Sequence, residues 1–381
     1  ENIAAGVQQK VGESFSEALF DYEDDKFKWQ LSSVGMGIKS IELKGYFDKK
    51  KNPIVFKPTT QDASLFNTVI ENQKISFVIE KLSDTLYSGT ALVNGKNIKK
   101  IVTYNKDLMS FSTEISFDSA PNTITFESSE NKLKAEGGNF LIPSFETQDF
   151  LYTEKNKVHT EHISSLKDTD SLNKTVNNIT LASIGSHYFT QAFIDKSEIA
   201  PNVTMIVQGT AAKMNITYNL KDTKVTSLKG IFFIGAKVSE DLAKIDPIMS
   251  ETLNYGMFGF IAKILLDLLK YFHSIFSNWG VAIIALTLVM RIVVLPLNIL
   301  SFRSARAMQK IQPQLKAVRE KYKNDPMAVN RETMAMMKEH NANPLSSCLP
   351  MLVQIPIFFA FWKTIGSSVE IYQQPFFGWI T

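Results

Sequence analysis

Through residues 1 to about 240, short runs of the chain alternate apolar and polar positions. The runs 74–80 (Lys-Ile-Ser-Phe-Val-Ile-Glu), 122–127, 203–208 and 214–219 put every second side chain on one face, which is the period of a half-buried strand. Turn signals such as Asn94-Gly95 and Gly137-Gly138 separate runs of this kind. Many short strands with few helical stretches between them predict a large antiparallel sandwich rather than βαβ units. No fixed-period repeat or low-complexity tract interrupts the pattern.

From residue 239 the period changes. Ser239 to Ile245 reads as a short helix ending near Pro247. The stretch from Met257 to Phe276 is mostly apolar but carries Lys263, Asp267, Lys270 and Ser274 at spacings of 4, 3 and 4, one polar stripe on a helix. Such a helix fits the plane of a membrane interface better than a crossing of it. Residues 280–300 are nearly all apolar, and at about 1.5 Å per residue they can cross a hydrocarbon core of about 30 Å. Trp279 stands at the start of this span, where an interfacial aromatic belongs. A second apolar run, 345–365, contains Gln354 and Pro356, with Trp362 and Lys363 near its end.

Arg291 falls near the middle of the first span, where a charge costs at least about 2.5–3.5 kcal/mol on insertion scales. Neither span contains an Asp or Glu. Arg291 is therefore expected to face a hydrated cavity, with Thr287 one turn earlier on the same face and Gln354 contributing from the second span; the alternative is a carboxylate partner outside this chain. Pro296 is expected to kink or end the helix.

Between the spans, residues 302–343 hold nine basic and four acidic residues. The excess of positive charge places this loop in the cytoplasm and the β part on the far side of the membrane. The loop reads as two helices. Met308, Ile311, Leu315, Val318 and Tyr322 form a 3-4-3-4 seam, Pro313 is expected to bend the first helix, and Asp325-Pro326 supplies the N-cap and N1 of the second. Met327, Met334 and Met337 are expected on one packing face of the second helix. The basic loop carries no base-reading motif, so contact with a ribosome or anionic lipid is expected rather than sequence-specific nucleic-acid binding.

These patterns define a β-plus-membrane-α architecture: a β-sandwich domain over 1–238, a linker and interfacial helix over 239–278, a span over 279–300, a basic hairpin over 301–343, a span over 344–366 and a far-side segment over 367–381. Charge follows the same division. The overall balance is +3, yet the chain after residue 262 has 13 basic and 6 acidic residues, against 28 and 32 before it. The lone Cys348 excludes an internal disulfide scaffold. There is no phosphate loop and no nucleophile elbow. His159 and His162 lack further ligands nearby in sequence and read as surface residues. No cofactor, metal or catalytic residue is expected.

Linked motifs carry a family resemblance: Phe232-Phe-Ile-Gly235, Leu253-Asn-Tyr-Gly256, the run 268–274, Asn278-Trp-Gly280, the run 287–297 around Arg291, the run 308–313, Arg319-Glu-Lys-Tyr322, and the run from Asn343 through Cys348-Leu-Pro350 to Phe358. In this order and spacing the chain resembles the Oxa/YidC/Alb family of membrane-protein insertases in its Gram-negative form. The motifs cover about 230–370; over 1–230 the resemblance rests on size, β pattern and position. It implies a periplasmic β-super-sandwich and an insertase, not an enzyme, of the bacterial inner membrane. Its groove residues are Arg291 and Thr287, with Gln354, Ile355 and Phe358 touching substrate. It implies nascent membrane proteins, the lipid bilayer, the ribosome and a Sec translocon as partners. Ser346-Ser347 departs from the Gly-Gly usual in the family before the cysteine. The chain starts without Met or a signal sequence, and an amino-terminal anchor and three carboxy-terminal spans are expected beyond its two ends. Two other classes remain open: an anion transporter using Arg291, and a membrane-anchored receptor whose β domain binds a glycan or peptide.

Overall fold

Asn94 and Gly95 both take positive φ (49° and 77°) and close the two-residue turn between β8 (Leu86–Val93) and β9 (Lys96–Asn105), with Val93 opposite Lys96. Both residues tolerate that backbone region, and the turn's twist matches that of the strands it joins. The computed structural model in which this turn is seen describes residues 16–372, 374 and 376 apart from 49, 134–146, 156, 168, 254–257 and 341–343, and it describes the backbone but not the side chains of 344–350. Gly137-Gly138, Asn343 and part of the final segment lie outside the described residues.

The first four strands, β1 (Leu19–Glu23), β2 (Phe27–Ser32), β3 (Ile38–Phe47) and β4 (Pro53–Phe56), pair in chain order as one sheet. Next come β5 (Asn67–Ile70), β6 (Gln73–Lys74), β7 (Val78–Lys81), then β8 and β9, and β10 (Ser110–Phe117), β11 (Thr123–Asn131), β12 (Gln148–Glu154) and β13 (Lys157–His162). The series ends with β14 (Leu172–Val176), β15 (Leu181–Ser186), β16 (Phe189–Asp195), β17 (Asn202–Gln208), β18 (Ala211–Asn219) and β19 (Ser227–Ala236). Among the described residues these form a nine-stranded sheet, β13-β12-β15-β16-β19-β10-β9-β8-β7, and a six-stranded sheet, β14-β17-β18-β11-β5-β6. The run 74–80 is therefore not one strand. It is cut at Ile75 to Phe77, both 3% exposed or less, and its halves join different sheets.

The register explains the layering. Tyr104 lies opposite Phe111, Phe111 opposite Phe232, and Phe232 opposite Phe193, so an aromatic row crosses one face of the nine-stranded sheet. Trp29 of β2 meets Tyr104 and Phe111 edge-on, and Phe126 of β11 packs on Phe193 and Phe232. The four- and six-stranded sheets thus cover the same face side by side, which makes a super-sandwich.

Lys100 sits on that inward face, two residues from Val102 and four from Tyr104, and is fully buried. Its Nζ donates to the Gly35 carbonyl (3.1 Å), the Met36 carbonyl (2.8 Å) and Thr68 Oγ1 (2.7 Å). Phe126 and Phe232 offer their ring faces at 5.6 and 5.7 Å. Gly89 lies opposite Lys100, and a Cβ there would stand 2.2 Å from Met36 Sδ. The missing side chain admits the β2–β3 loop that brings the carbonyls to the ammonium.

Helix α1 (Ser239–Ile245) and the 3-10 turn Pro247–Thr252 bury Leu242 and Met249 and group with the strands; the chain divides into compact units at Leu253/Asn254.

Candidate functional site: a cavity in the helical unit

The second unit contains α2 (Gly259–Phe276), α3 (Trp279–Lys321), α4 (Pro326–Glu339) and α5 (Pro344–Ser367). Asn278 caps α3, its side chain accepting from Val281 N at 3.0 Å. Asp325 caps α4 by accepting from Met327 N and Ala328 N, and Pro326 stands at N1 as the sequence predicts. The boundary expected at residue 300, between membrane span and loop, does not coincide with a helix end. The helix is continuous for 43 residues, with Pro296 and Pro313 inside it. Each proline removes one backbone donor, but the remaining ladder carries the helix through.

On α2 the polar stripe is present as expected: Lys263, Asp267 and Ser274 are exposed, and Lys270 is half-buried. Lys270 Nζ pairs with Glu370 Oε1 at 3.3 Å. The opposite face buries Ala262, Leu265, Leu266 and Leu269. Between the two runs an exposed apolar stripe, Phe260, Ile264, Tyr271 and Ile275. Three-sided patterning of this kind suits a helix with protein, lipid and water on different sides. Thr364 of α5, fully buried, donates to the Ala262 carbonyl at 3.1 Å. Ala262, Ala282 and Ala360 are each 0% exposed, and such small residues let helices approach closely. His273 stacks on Trp279 at 3.9 Å across the α2–α3 junction.

In the basic hairpin Ile311 and Leu315 are buried against Met308, Met336 and Met337. Of the three methionines expected on the packing face of α4, only Met337 reaches it. Met327 and Met334 are 83% and 72% exposed, because the α4 seam runs through 336 and 337 rather than along 327 and 334.

Thr287, Met290, Arg291, Val294 and Asn298 from α3 and Gln354, Ile357, Phe358 and Phe361 from α5 line one cavity of about 200 Å³, roomy enough for several waters. The α3 residues lie on one helical stripe, as do the α5 residues. Thr287 Oγ1 donates to the Ile283 carbonyl at 2.8 Å. Among the described residues, Arg291, Asn298 and Gln354 make no side-chain hydrogen bond or ion pair. The cavity is thus mostly apolar with a few uncommitted polar groups. Dry, each such group costs several kcal/mol in hydrocarbon. Ile355 does not line it; it is rotated onto the outer surface, 39% exposed. Asn298, Ile357 and Phe361 were not singled out from the sequence, although their spacings of seven from Arg291, three from Gln354 and seven from Gln354 carry the signal.

Outside the cavity, α3 and α5 expose Ile284, Leu288, Ile292, Val293, Leu352 and Phe359, an apolar surface too extensive for water. Among the described residues one helix, α3, is long and apolar enough to cross a membrane; Met351–Ser367 is a shorter apolar stretch within α5.

In the β unit, His159 and His162 are three apart on β13 and point to opposite faces. His159 stacks on Tyr152, and His162 Nδ1 lies 2.7 Å from Asp149 Oδ1.

An antiparallel β-super-sandwich followed by apolar helices around a mostly apolar cavity with a few polar groups defines a membrane-associated protein with a large extramembrane domain. Two family models match it: "YidC periplasmic domain" over residues 21–268 and "60Kd inner membrane protein" over 271–381. The chain belongs to the YidC family, whose members are inner-membrane proteins with a periplasmic domain. It is 37% identical over 201 residues to the membrane protein insertase YidC of Syntrophobacter fumaroxidans, a match covering 51% of this chain and 36% of that protein. With the membrane protein insertase YidC of Cellvibrio japonicus it shares 30% identity over 414 residues, covering 99% of this chain and 73% of that one. A crystal structure of an active YidC insertase with its first transmembrane domain resolved is similar at 16% identity and a TM-score of 0.34, over 94% of this chain and 74% of that one.

Proposed function

We propose that the chain is the groove-bearing part of a membrane-protein insertase, moving nascent apolar segments from the cytoplasm into the inner membrane without chemistry of its own. The observation that carries this reading is the cavity between α3 and α5, in which Arg291 and Gln354 are committed to no partner among the described residues. A transported segment must carry a polar tail through hydrocarbon, and a hydrated cavity lowers that cost. Arg291 adds attraction for an acidic tail, about 4 kcal/mol at 4 Å and an effective dielectric of 20. Phe358 inside the cavity and Ile355 on its flank give the apolar part of the segment a path to lipid.

In this reading α3 crosses toward the cytoplasm, the basic hairpin meets the ribosome there, α5 returns, and α2 lies in the far interface. The β unit is periplasmic, and a Sec translocon is a second route of delivery. Insertion of a single-span substrate with a short acidic outer tail, followed in proteoliposomes with the intact protein, tests the reading. Arg291→Ala is expected to abolish insertion and Arg291→Lys to retain it. Equal insertion by all three proteins would remove the charge from the mechanism, and failure of the parent would remove the insertase reading.

A further inference from the structure

Arg291 and Thr287 do not exhaust the polar face of α3. Asn298 lies seven residues past Arg291, two turns or about 10 Å along the helix axis, and lines the same cavity. It is half-buried, and its amide makes no hydrogen bond among the described residues. An asparagine in an otherwise apolar stretch, Leu295-Pro-Leu-Asn-Ile-Leu300, is costly unless something polar reaches it. Val294, 7% exposed, is the only α3 lining residue between Arg291 and Asn298.

We infer that Asn298 is a positioning residue at the hairpin-side mouth of the cavity, which receives the polar tail of an inserting segment before Arg291 does and handles it without regard to charge sign. This rests on the insertase reading. The chemistry separates the two residues. A guanidinium favours acidic groups and repels basic ones, whereas a carboxamide both donates and accepts and carries no charge. A tail entering from the hairpin side thus meets a neutral hydrogen-bonding group first and a charge-selective one about 10 Å deeper. Asn298 is expected to set how readily polar tails enter, and Arg291 to set which charge is preferred.

The test uses the intact protein in proteoliposomes and four single-span probes whose outer tails are acidic, neutral polar, basic or absent. Asn298→Leu is expected to slow the three polar-tailed probes by a similar factor, about threefold to tenfold for the loss of one neutral hydrogen bond. The tail-less probe should be untouched, and Asn298→Ser should restore most of the rate. Asn298→Asp should slow the acidic tail selectively. A second readout is independent of insertion: in a Cys348→Ser background, Asn298→Cys should react with a membrane-impermeant maleimide added on the hairpin side, and a bound polar-tailed probe should protect it. Three results would each overturn the inference: unchanged rates with Asn298→Leu, equal slowing of the tail-less probe, or no maleimide reaction. If Arg291→Ala fails while Asn298→Leu behaves as the parent, only this inference falls; if the parent inserts nothing, the insertase reading falls and takes it along.

Discussion

Lys100 Nζ donates to Thr68 Oγ1 at 2.7 Å, and with that bond one buried ammonium joins β9 of the nine-stranded sheet to β5 of the six-stranded one. Its other two donors reach the β2–β3 loop of the four-stranded sheet. All three sheets of the β unit therefore meet at one nitrogen, and all three of its protons have an acceptor. Thr68→Val keeps the shape and removes one acceptor. The expected cost is about 1–3 kcal/mol, as for a hydrogen bond to a charged group, measured by urea unfolding followed through the buried Trp29. No change in midpoint would mean that the clasp contributes nothing.

Two groups of the β unit, buried Lys100 and half-buried Glu130, make stability depend on pH in opposite directions. Burial pushes Lys100 down to about 7. The unfolded chain takes up this proton at higher pH than the folded one, so stability falls as pH drops from about 10.5 toward 7. Desolvation pushes Glu130 up to about 7, against the Lys237 charge, which lowers it. Here the folded chain keeps a proton the unfolded chain releases, so stability falls as pH rises from about 4.5 toward 7. The two contributions together predict a trough near neutral pH. Denaturation midpoints from pH 5 to pH 9 check it: Glu130→Gln should flatten the acid limb and leave the alkaline limb in place.

Gly89 is an expected point of failure. A side chain there would collide with Met36 and push the β2–β3 loop off Lys100, leaving the ammonium short of two acceptors. Gly89→Val should cost several kcal/mol, the sum of overpacking and a poorly satisfied buried polar group. A proteolysis assay on the folded chain should show early cleavage between β2 and β3.

Thr364 couples α5 to α2 through the Ala262 carbonyl while also bonding the Ala360 carbonyl of its own helix at 2.8 Å. Thr364→Val removes the interhelical bond without changing volume and should cost about 1 kcal/mol. Ala262→Leu, which forces the helices apart, should cost more. Thermal aggregation of detergent-solubilised protein is the measurement, and the reverse order would refute the close-packing account.

Much of this was readable from the sequence. Asn94-Gly95 announced its hairpin, Asp325-Pro326 its helix start, and the 3-4-3-4 spacing its seam at Ile311 and Leu315, because these signals are local. What stayed hidden depends on long-range pairing. The split of 74–80 between two sheets follows from partners on β8 and β5, which the run itself does not encode. Lys100 was not singled out from the sequence. Its parity with Ile98, Val102 and Tyr104 was the available sign that it points inward. In the helical unit, Thr287, Arg291, Gln354 and Phe358 line the cavity together, whereas Ile355, one position or about 100° of helix rotation from Gln354, lies on the outer surface beside it.

The unbroken course of α3 has a mechanical consequence. The wall that carries Arg291 and the first arm of the basic hairpin are one rod, and about 45 Å of helix separates Arg291 from Lys321. A load on the hairpin tip acts on a long lever whose short arm is the cavity itself. The two prolines, each missing a backbone bond, are where such a lever would flex. A force on the tip would therefore change the width of the cavity without touching a residue inside it.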